Sequence, residues 1–472
     1  MTAIITDKIK KQFAQQLLDQ FSVANIGDSD NYYYIAAGHS QIWDPVNNLD
    51  GYPDPNNTDR EERLFRYNMQ SVKSVEAASF VIPIADWSPN AIYSAYNDNV
   101  EGQPSISYYV RTTDNNVYLC VRTGKTGTGA INISTTKPEH VNTTLPVGAD
   151  GYVWKFLYTI STADANKFLT SSFMPVKFVD SADVLSPDFQ QYVVQNAAIS
   201  GQIVGYRVTE KGGIYNTAPT VTIIGDGSGA TARAILNTTG GIEAIEVGAT
   251  DQSDILTSMG SGYSYGNIII SATPLASGGV PAKAVPIFGP KLGLGADATV
   301  DLRSTGIMFN IKPDGTVENT WVVDQGYRQI GLLKNPKTPS GGAFTNTQGL
   351  ALQRMSLTIS AGDGDPENNY GILFTEDTLI TGATSTAKGW LDYYDDSATI
   401  WYHQDENTGF TPFQNSEAIN IEGYTASTPI IDVANIPADV NRYSGELLFI
   451  NNFNEVTRAR GQTEDIKVVV KL

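Results

Sequence analysis

Short runs rich in Val, Ile, Tyr and Thr recur along nearly the whole chain, and each is cut by Gly, Pro, Asn or Asp. Examples are NYYYIAAG, NVYLCVRT, YVWKFLYTI and MPVKFV. Runs of this length and composition, with turn residues between them, are typical of strands. We therefore predict a mainly β fold with a few helices (α+β), in which a β-sandwich-like framework carries two inserted small all-β modules.

The amino-terminal segment has a different pattern. Apolar residues recur at every fourth position from Ile5 to Phe21, which places them along one face of a helix. Thr6 or Asp7 is suited to cap its start. We predict one amphipathic helix here.

Two further segments predict helices. In NTDREERLFRYNMQSVK, Asn57 or Thr58 is suited to cap the start. In SPDFQQYVVQNAA, Ser186 followed by Pro187 is a favourable helix start. No other segment is predicted to be helical.

A degenerate internal repeat occupies the middle of the chain. The segments Ile203–Leu236 and Ile242–Phe288 both read as a strand, a glycine turn with tyrosine, a strand of Thr, Val and Ile, another glycine turn and an alanine-rich strand. Short strands repeated in this way predict a small β module, which we assign to residues 197–292.

A second all-β module is predicted at residues 346–431, because elements such as SATIWYHQ and GFTPFQNSEAI alternate as in a compact barrel or sandwich. Its aromatic residues are expected to be core and half-exposed strand residues. The alternative is a surface that stacks on a glycan or a partner protein. The residues of this candidate surface are Trp390, Tyr393, Tyr394, Trp401 and Tyr402.

Charge limits the choice of partners. The chain has 472 residues, with 31 Lys and Arg against 50 Asp and Glu, and a formal net charge of -19. A surface this acidic repels phosphate backbones and anionic lipid, so we expect neither nucleic acid nor a membrane as partner. Basic or neutral proteins are the expected partners.

The start of the chain lacks the continuous apolar core of a signal peptide, and no apolar run is long enough to span a bilayer.

Motifs for nucleotide and thiol chemistry are incomplete. The stretch RTGKTGTGA contains Lys125, but Leu119 stands where a phosphate-binding loop needs its first glycine, so a hairpin turn is predicted instead. GDGSGA at Gly225 lacks the glycine spacing of a dinucleotide fingerprint. Cys120 is the one cysteine and lies in the apolar run VYLCVR, which predicts a buried small residue rather than a reactive thiol.

Metal and acid–base motifs are incomplete too. AGDGDPENN places Asp363, Asp365 and Glu367 at alternate positions, but Asn368 and Phe374 stand where a calcium loop needs glycine and a carboxylate. The three histidines are far apart in sequence and lack the spacing of zinc ligands or of a catalytic triad. Paired carboxylates of a glycosidase remain open, since 50 acidic residues form close pairs by chance. We predict no catalytic residue, no cofactor and no metal site.

Six separated segments resemble, in order, the gp-eight family of baseplate wedge subunits of T-even-type contractile-tailed bacteriophages. They are IAAGHSQIWD, SVKSVEAASFVIPIADW, GADGYVWKFLYTI, GYRQIGLLKNP, RYSGELLFINNFNEV and QTEDIKVVVKL. The two predicted modules fall outside the resemblance. The resulting division is a framework at residues 1–196, 293–345 and 432–472, interrupted by the modules at 197–292 and 346–431.

The resemblance implies a structural virion protein and not an enzyme. Members of that family form dimers, build the wedges around the tail hub, and hold neighbouring wedge proteins while the baseplate changes shape at host attachment. For this chain it implies a homodimer that binds other wedge proteins, located in the tail baseplate after synthesis in the host cytoplasm. A glycan-binding tail or fibre component is the alternative, suggested by the glycine-tyrosine repeat and the aromatic second module.

The stretch GADGYVWKFLYTI decides between a core and a surface. Tyr152, Trp154 and Phe156 lie two positions apart and so share one face of a strand, while Val153 and Leu157 share the other. Both faces are apolar. Packing within the core is favoured over a contact with a second subunit, because aromatic cross-strand ladders stabilise sheets by themselves.

Overall fold

Strands dominate the computed structural model of this chain. Strands account for 41% and helices for 12%, so the predicted mainly β fold with few helices is confirmed. The sheets are small and antiparallel. The structure describes residues 5–24, 32–41, 43, 52–99, 104–250, 254–273, 275–313, 321, 326–358, 377–394, 399–423, 430–431, 436–459 and 461–472.

Two compact units make up the chain. Unit 1 comprises Met1–Gln15, Ser79–Met308 and Lys471–Leu472. Unit 2 comprises Gln16–Ala78 and Phe309–Val470. The predicted module at 197–292 therefore lies within unit 1, and the one at 346–431 lies within unit 2.

Helices occur in all three segments predicted to contain them. The helices of the described residues are α1 Asp7–Ala24, α2 Thr58–Tyr67, α3 Thr162–Phe168, α4 Phe189–Asn196, α5 Ile255–Ser258 and α6 Ala298–Asp301. Asn57 caps α2, because its side chain accepts a hydrogen bond from the Arg60 N–H. The sequence analysis missed α3, although Ser161 caps it by accepting from the Asp164 N–H at 3.0 Å.

The predicted extent of the second helix is wrong. Helix α2 ends at Tyr67, and the residues that follow form a strand, Met69–Ser74. Met69 and Val72 are fully buried in the core that this strand helps to form. Sheet pairing and burial therefore outweigh the helical preference of a short segment.

Twenty-eight strands are present in the described residues. In chain order they are β1 Tyr33–Gly38, β2 Met69–Ser74, β3 Ala77–Pro83, β4 Tyr109–Arg111, β5 Asn116–Arg122, β6 Val153–Thr159, β7 Phe173–Val176, β8 Ile203–Glu210, β9 Gly213–Tyr215, β10 Thr220–Gly225, β11 Ser228–Ala230, β12 Ala232–Leu236, β13 Ile242–Val247, β14 Met259–Ser261, β15 Gly266–Ile270, β16 Leu275–Val280, β17 Lys283–Phe288, β18 Gly306–Ile311, β19 Gly326–Lys334, β20 Gln348–Leu350, β21 Gln353–Thr358, β22 Leu379–Gly382, β23 Lys388–Tyr394, β24 Thr399–His403, β25 Ile419–Ile421, β26 Ile430–Ile431, β27 Glu446–Thr457 and β28 Ile466–Lys471.

The repeat region of unit 1 is a nested set of strand pairs. Strand β8 pairs with β17, β9 with β16, β10 with β15, β11 with β14 and β12 with β13. If the first repeat is β8–β12 and the second β13–β17, exchanging the two repeats leaves these five pairs unchanged. The further pairing of β10 with β12 has no counterpart among the described strands, because β15 does not pair with β17. The exchange maps β10–β15 onto itself, and Ile223 pairs with Ile268 near its centre. The sequence repeat thus corresponds to an approximate two-fold relation between its halves.

The two ends of the repeat region lie side by side. Ile203 pairs with Phe288, and the Gly289 N–H donates to the Gln202 carbonyl at 3.0 Å. An inserted module requires adjacent ends, because the host chain must continue from where it was interrupted. The predicted boundaries at 197 and 292 remain a prediction.

Unit 2 contains two larger sheets. One has the strand order β20-β2-β1-β19-β27, and the other has the order β25-β22-β23-β24-β21-β26. All strands of the second sheet fall within residues 346–431. Gln348–Leu350 also falls within that range but pairs with β2, so it belongs to the first sheet.

Each sheet of unit 2 has its own core. The first core consists of Tyr34, Ala36, Phe65, Met69, Val72, Leu333, Phe344, Ala351 and Val440. The second consists of Met355, Leu357, Ile380, Ala387, Leu391, Ile400, Tyr402, Phe413, Ile419 and Ile421. Separate cores of this kind are what domains built from small sheets require.

Among the described residues, no helix has both the length and the apolar composition needed to cross a bilayer.

Candidate functional site

The aromatic residues of the candidate surface predicted on the second module differ in how deeply they are buried. Trp401 and Tyr402 are buried, with exposed fractions of 3% and 1%, and Tyr402 packs edge-on against Phe413. Trp390 and Tyr393 are half-buried. Tyr394 ends strand β23, and its side chain lies outside the described part of the structure.

The half-buried members of this set have defined contacts. The indole N–H of Trp390 donates to Asp405 Oδ2 at 3.2 Å. The ring of Tyr393 packs on Trp401 with a centroid distance of 5.0 Å. Among the described residues of this set, Trp390 and Tyr393 are the two whose rings could contact a glycan or a protein.

The stretch GADGYVWKFLYTI contains strand β6, which was predicted to lie in the core and not at a surface. Tyr152, Trp154 and Phe156 belong to one buried cluster, and Val153 and Leu157 on the other face are also buried. The rings of Tyr152 and Trp154 stack at 5.8 Å. The predicted core location of this strand is confirmed. Cys120 lies in the same cluster, and burial raises the pKa of its thiol, which keeps it unreactive.

Helix α1 exposes part of its apolar face. Ile5 is 64% exposed, Ile9 43% and Phe13 58%, whereas Ala14 is fully buried. We call Ile5, Ile9 and Phe13 the α1 stripe. Ile9 and Phe13 lie one turn apart on α1 and so share one exposed face, and Ile5 lies two residues before the helix begins. Sequence spacing predicted the helix and its apolar face, but not which face packs inward.

Unit 2 contains a buried polar cluster that the sequence analysis missed. It consists of His39, Ser40, Arg328, Asp377, Asp392 and His403. His403 Nδ1 lies 2.8 Å from Asp392 Oδ2, and the Ser40 hydroxyl donates to Asp377 Oδ1 at 3.0 Å. The Arg328 guanidinium pairs with Glu455 at 2.8 Å. Residues separated by more than 300 positions in sequence thus meet in one buried cluster.

The two histidines of this cluster have opposite pKa shifts. Burial lowers the pKa of His39 to about 3, and the nearby charges of Arg328 and His403 act in the same direction. Burial alone would lower the pKa of His403 as well, but the charge of Asp392 and its hydrogen bond raise the pKa above its usual value. The Nε2 atoms of both rings are buried and have no hydrogen-bond partner among the described residues.

This cluster is suited to holding strands together and not to acting on a substrate. Asp392 is on β23 and His403 is on the neighbouring β24, so their contact ties the two strands. A histidine that acts as general base needs its free nitrogen within reach of the substrate. The Nε2 atom of His403 is instead enclosed by the protein.

Unit 1 also buries a lysine and an aspartate. Lys155 on β6 is 6% exposed, and Asp301 on α6 is fully buried. Asp301 Oδ2 accepts from the Gly295 N–H at 2.6 Å, while its Oδ1 has no hydrogen-bond partner among the described residues. Burial raises the pKa of Asp301 to about 7, and burial lowers the pKa of Lys155. Both groups are thereby shifted toward their neutral forms.

The remaining motif assignments have mixed outcomes. The stretch around Lys125 forms a tight turn, in which Lys125 bridges to Ile131 and the Thr126 N–H donates to Ala130. The predicted turn is confirmed. The candidate calcium loop at 361–369 lies outside the described residues. Within the described part of the chain, no three His, Cys, Asp or Glu side chains are grouped so that they could hold a metal ion.

Comparison with known proteins gives no relative for this chain: no protein-family model matches it, and no curated protein matches it.

Proposed function

We propose that this chain is a structural subunit of the tail baseplate wedge of a contractile-tailed bacteriophage, which dimerises and joins neighbouring wedge proteins. The observation that carries the proposal is the α1 stripe. Ile9 and Phe13 on α1, together with Ile5 just before it, are exposed apolar side chains, whereas Ala14 and Phe21 on the same helix are buried. An amphipathic helix that leaves its apolar side in water is favoured when another protein covers that side.

The arrangement of the phage-like segments gives further support. Four of the six segments contribute β1, β2, β19 and β27, which are consecutive in the five-stranded sheet of unit 2. These four segments therefore form one continuous piece of structure, whereas the other two contribute β6 and β28, which belong to other sheets. The predicted module at 346–431 adds β20 at the edge of this sheet, beside β2.

We assign the α1 stripe to the contact with a second copy of the chain. A two-fold contact uses the same surface on both subunits, and an apolar helix face can pack against itself. Most binding energy in such contacts comes from a few central aromatic and large apolar side chains. Phe13 is the aromatic residue of the stripe and is the expected anchor.

Light scattering on the purified chain tests this assignment. We expect a dimer at micromolar concentration, and we expect Phe13→Gln to raise the dimer dissociation constant at least tenfold, which corresponds to about 1.4 kcal/mol. The matched control is Lys8→Gln, an exposed position on the same helix that receives the same new side chain. A stable wild-type monomer, or equal effects of the two variants, would contradict the proposal.

A further inference from the structure

A basic cavity lies within unit 1. Its volume is about 460 Å³, and it is bounded by the end of β5 and the turn after it, by the loop at residues 94–97, and by β8 and β13. We call it the basic cavity. Neither the proposed wedge function nor the phage resemblance assigns any role to it.

Positive charge is concentrated in the basic cavity. The charged residues of its lining are Arg122, Lys125, Arg207, Lys211, Glu243 and Glu246. Each carboxylate is already paired, Glu243 with Lys211 at 2.6 Å and Glu246 with Arg233 at 2.7 Å. Among the described residues, Lys125 and Arg207 have no carboxylate within ion-pair distance. An excess of cations in one cavity is notable in a chain with a net charge of -19.

Lys125 is held in place at the wall of the cavity. The Lys125–Ile131 bridge fixes its backbone, and Gly124 approaches the Asp150 carbonyl too closely for any larger residue. Burial lowers the pKa of the Lys125 ammonium, and the charges of Glu246 and Glu243 only partly offset this loss of solvation. A bound anion would replace the missing solvation, so the site favours a negatively charged ligand.

The rest of the lining favours a ligand with a sizeable carbon body. Apolar wall is supplied by Val204, Tyr206, Ile245, Val247, Ile255 and Ile287. Hydroxyl and amide groups are supplied by Ser94, Asn97 and Thr123. A cavity of about 460 Å³ is in the size range of small-molecule sites and is far larger than an inorganic anion needs.

We propose that the basic cavity binds the carboxylate-bearing unit of an acidic saccharide, with Lys125 and Arg207 contacting the carboxylate and the apolar wall contacting the sugar ring. An acidic sugar combines one negative charge, several hydroxyls and a C–H face, which matches the three kinds of lining group. A neutral sugar lacks the charge, and inorganic phosphate lacks the ring.

Saturation-transfer NMR on the full-length protein, with glucuronate as probe, tests the proposal. We expect millimolar binding of glucuronate, at least tenfold weaker binding of glucose, and weaker binding of glucuronate as salt rises. Lys125→Met removes the charge and keeps the chain length, and should weaken glucuronate binding at least tenfold. Arg207→Gln, at an exposed position, should weaken it several-fold.

The matched control is Lys283→Met. Lys283 is an exposed lysine of the same unit that pairs with Glu210 and does not line the cavity, so binding should stay unchanged. Equal binding of glucose and glucuronate would overturn the proposal, as would unchanged binding in both Lys125→Met and Arg207→Gln. Phosphate binding without glucuronate binding would also overturn it, because the cavity would then select charge alone. A chain that dimerises normally but fails these tests loses this proposal and keeps the proposed wedge function.

Discussion

Unit 1 and unit 2 each bury a carboxylate near a basic side chain, and the two pairs reach opposite electrostatic outcomes. In unit 1, burial shifts the pKa of Asp301 up and the pKa of Lys155 down, so both move toward neutrality. In unit 2, Asp392 raises the pKa of His403 despite complete burial, so the histidine is favoured in its charged form.

Contact distance explains the difference. His403 Nδ1 lies within 2.9 Å of both Asp392 oxygens, so the pair gains a direct charge-assisted hydrogen bond. Lys155 and Asp301 form no ion pair within the described residues, and their attraction acts only over a longer distance. Burying a charge is unfavourable unless a partner contacts it directly, so burial prevails in unit 1 and the partner prevails in unit 2.

The largest effect is expected from Asp392→Asn. This change removes the charge that stabilises protonated His403 and leaves the opposing charge of Arg442, which lowers the pKa of His403. We therefore expect a loss of about 3 kcal/mol in the free energy of unfolding near pH 6. A raised histidine pKa gives stability that is complete below the usual value and is lost as pH rises through the folded value. The difference from wild type should therefore shrink as pH rises above the usual value of 6.5 and through the raised pKa of His403.

Chemical denaturation of both proteins at several pH values measures this. The matched control is Asp114→Asn, which changes an exposed carboxylate paired with Lys137 and should cost less than about 1 kcal/mol. If Asp392→Asn were as stable as that control, the contact between Asp392 and His403 would contribute nothing.

A smaller effect of opposite sign is expected from Asp301→Asn. Because burial raises the pKa of Asp301, the protonated form favours folding, and this stability is lost as pH rises from the usual 3.8 to about 7. The neutral Asn variant avoids that loss. Its stability relative to wild type should therefore increase as pH rises from ~4 to ~8.

Denaturation curves at the two pH values, with the exposed carboxylate variant Asp86→Asn as control, check the prediction. Asp86 is 57% exposed and pairs with Arg111, so its replacement should give little pH-dependent difference. A wild-type protein that gains stability over Asp301→Asn as pH rises would show that Lys155 keeps Asp301 ionised.

The smallest effect is expected from His39→Asn. His39 has a positive φ of 64°, which Asn tolerates, and its ring stacks on Trp43 at 3.8 Å. Losing that stacking should cost about 1 kcal/mol near neutral pH. Since the folded pKa of His39 is lowered to about 3, wild type loses stability as pH falls below 6.5, and the Asn variant does not.

Thermal unfolding of wild type and His39→Asn at neutral and mildly acidic pH should thus show a gap in melting temperature between the two proteins that becomes smaller as the pH falls. A gap that widens would mean that His39 is protonated in the folded protein. The pKa values of His39 and His403 would then be shifted in the same direction, although both residues belong to one cluster.

Sequence reasoning recovered elements with a strong local signal. The four-residue spacing from Ile5 to Phe21 predicted α1, and Asn57, one of the two candidate caps of α2, is its cap. It failed where local preference and tertiary pairing disagreed, as in Met69–Ser74, which forms β2 although it follows a helix without a break in pattern. Helix α3 was missed because it spans only two turns, too few to show a periodic pattern.

By itself, the sequence determined the mainly β class, the repeat in unit 1 and the buried character of the strand around Trp154, since each depends on residues that are close together in the chain. The tertiary structure alone decided three other features. It paired the strands of the repeat in nested order, left the α1 stripe exposed, and brought His39 and Arg328 to the strands that carry Asp392 and His403. These features depend on contacts between distant residues, and the free energy of such contacts comes from burial and direct pairing that local spacing does not encode.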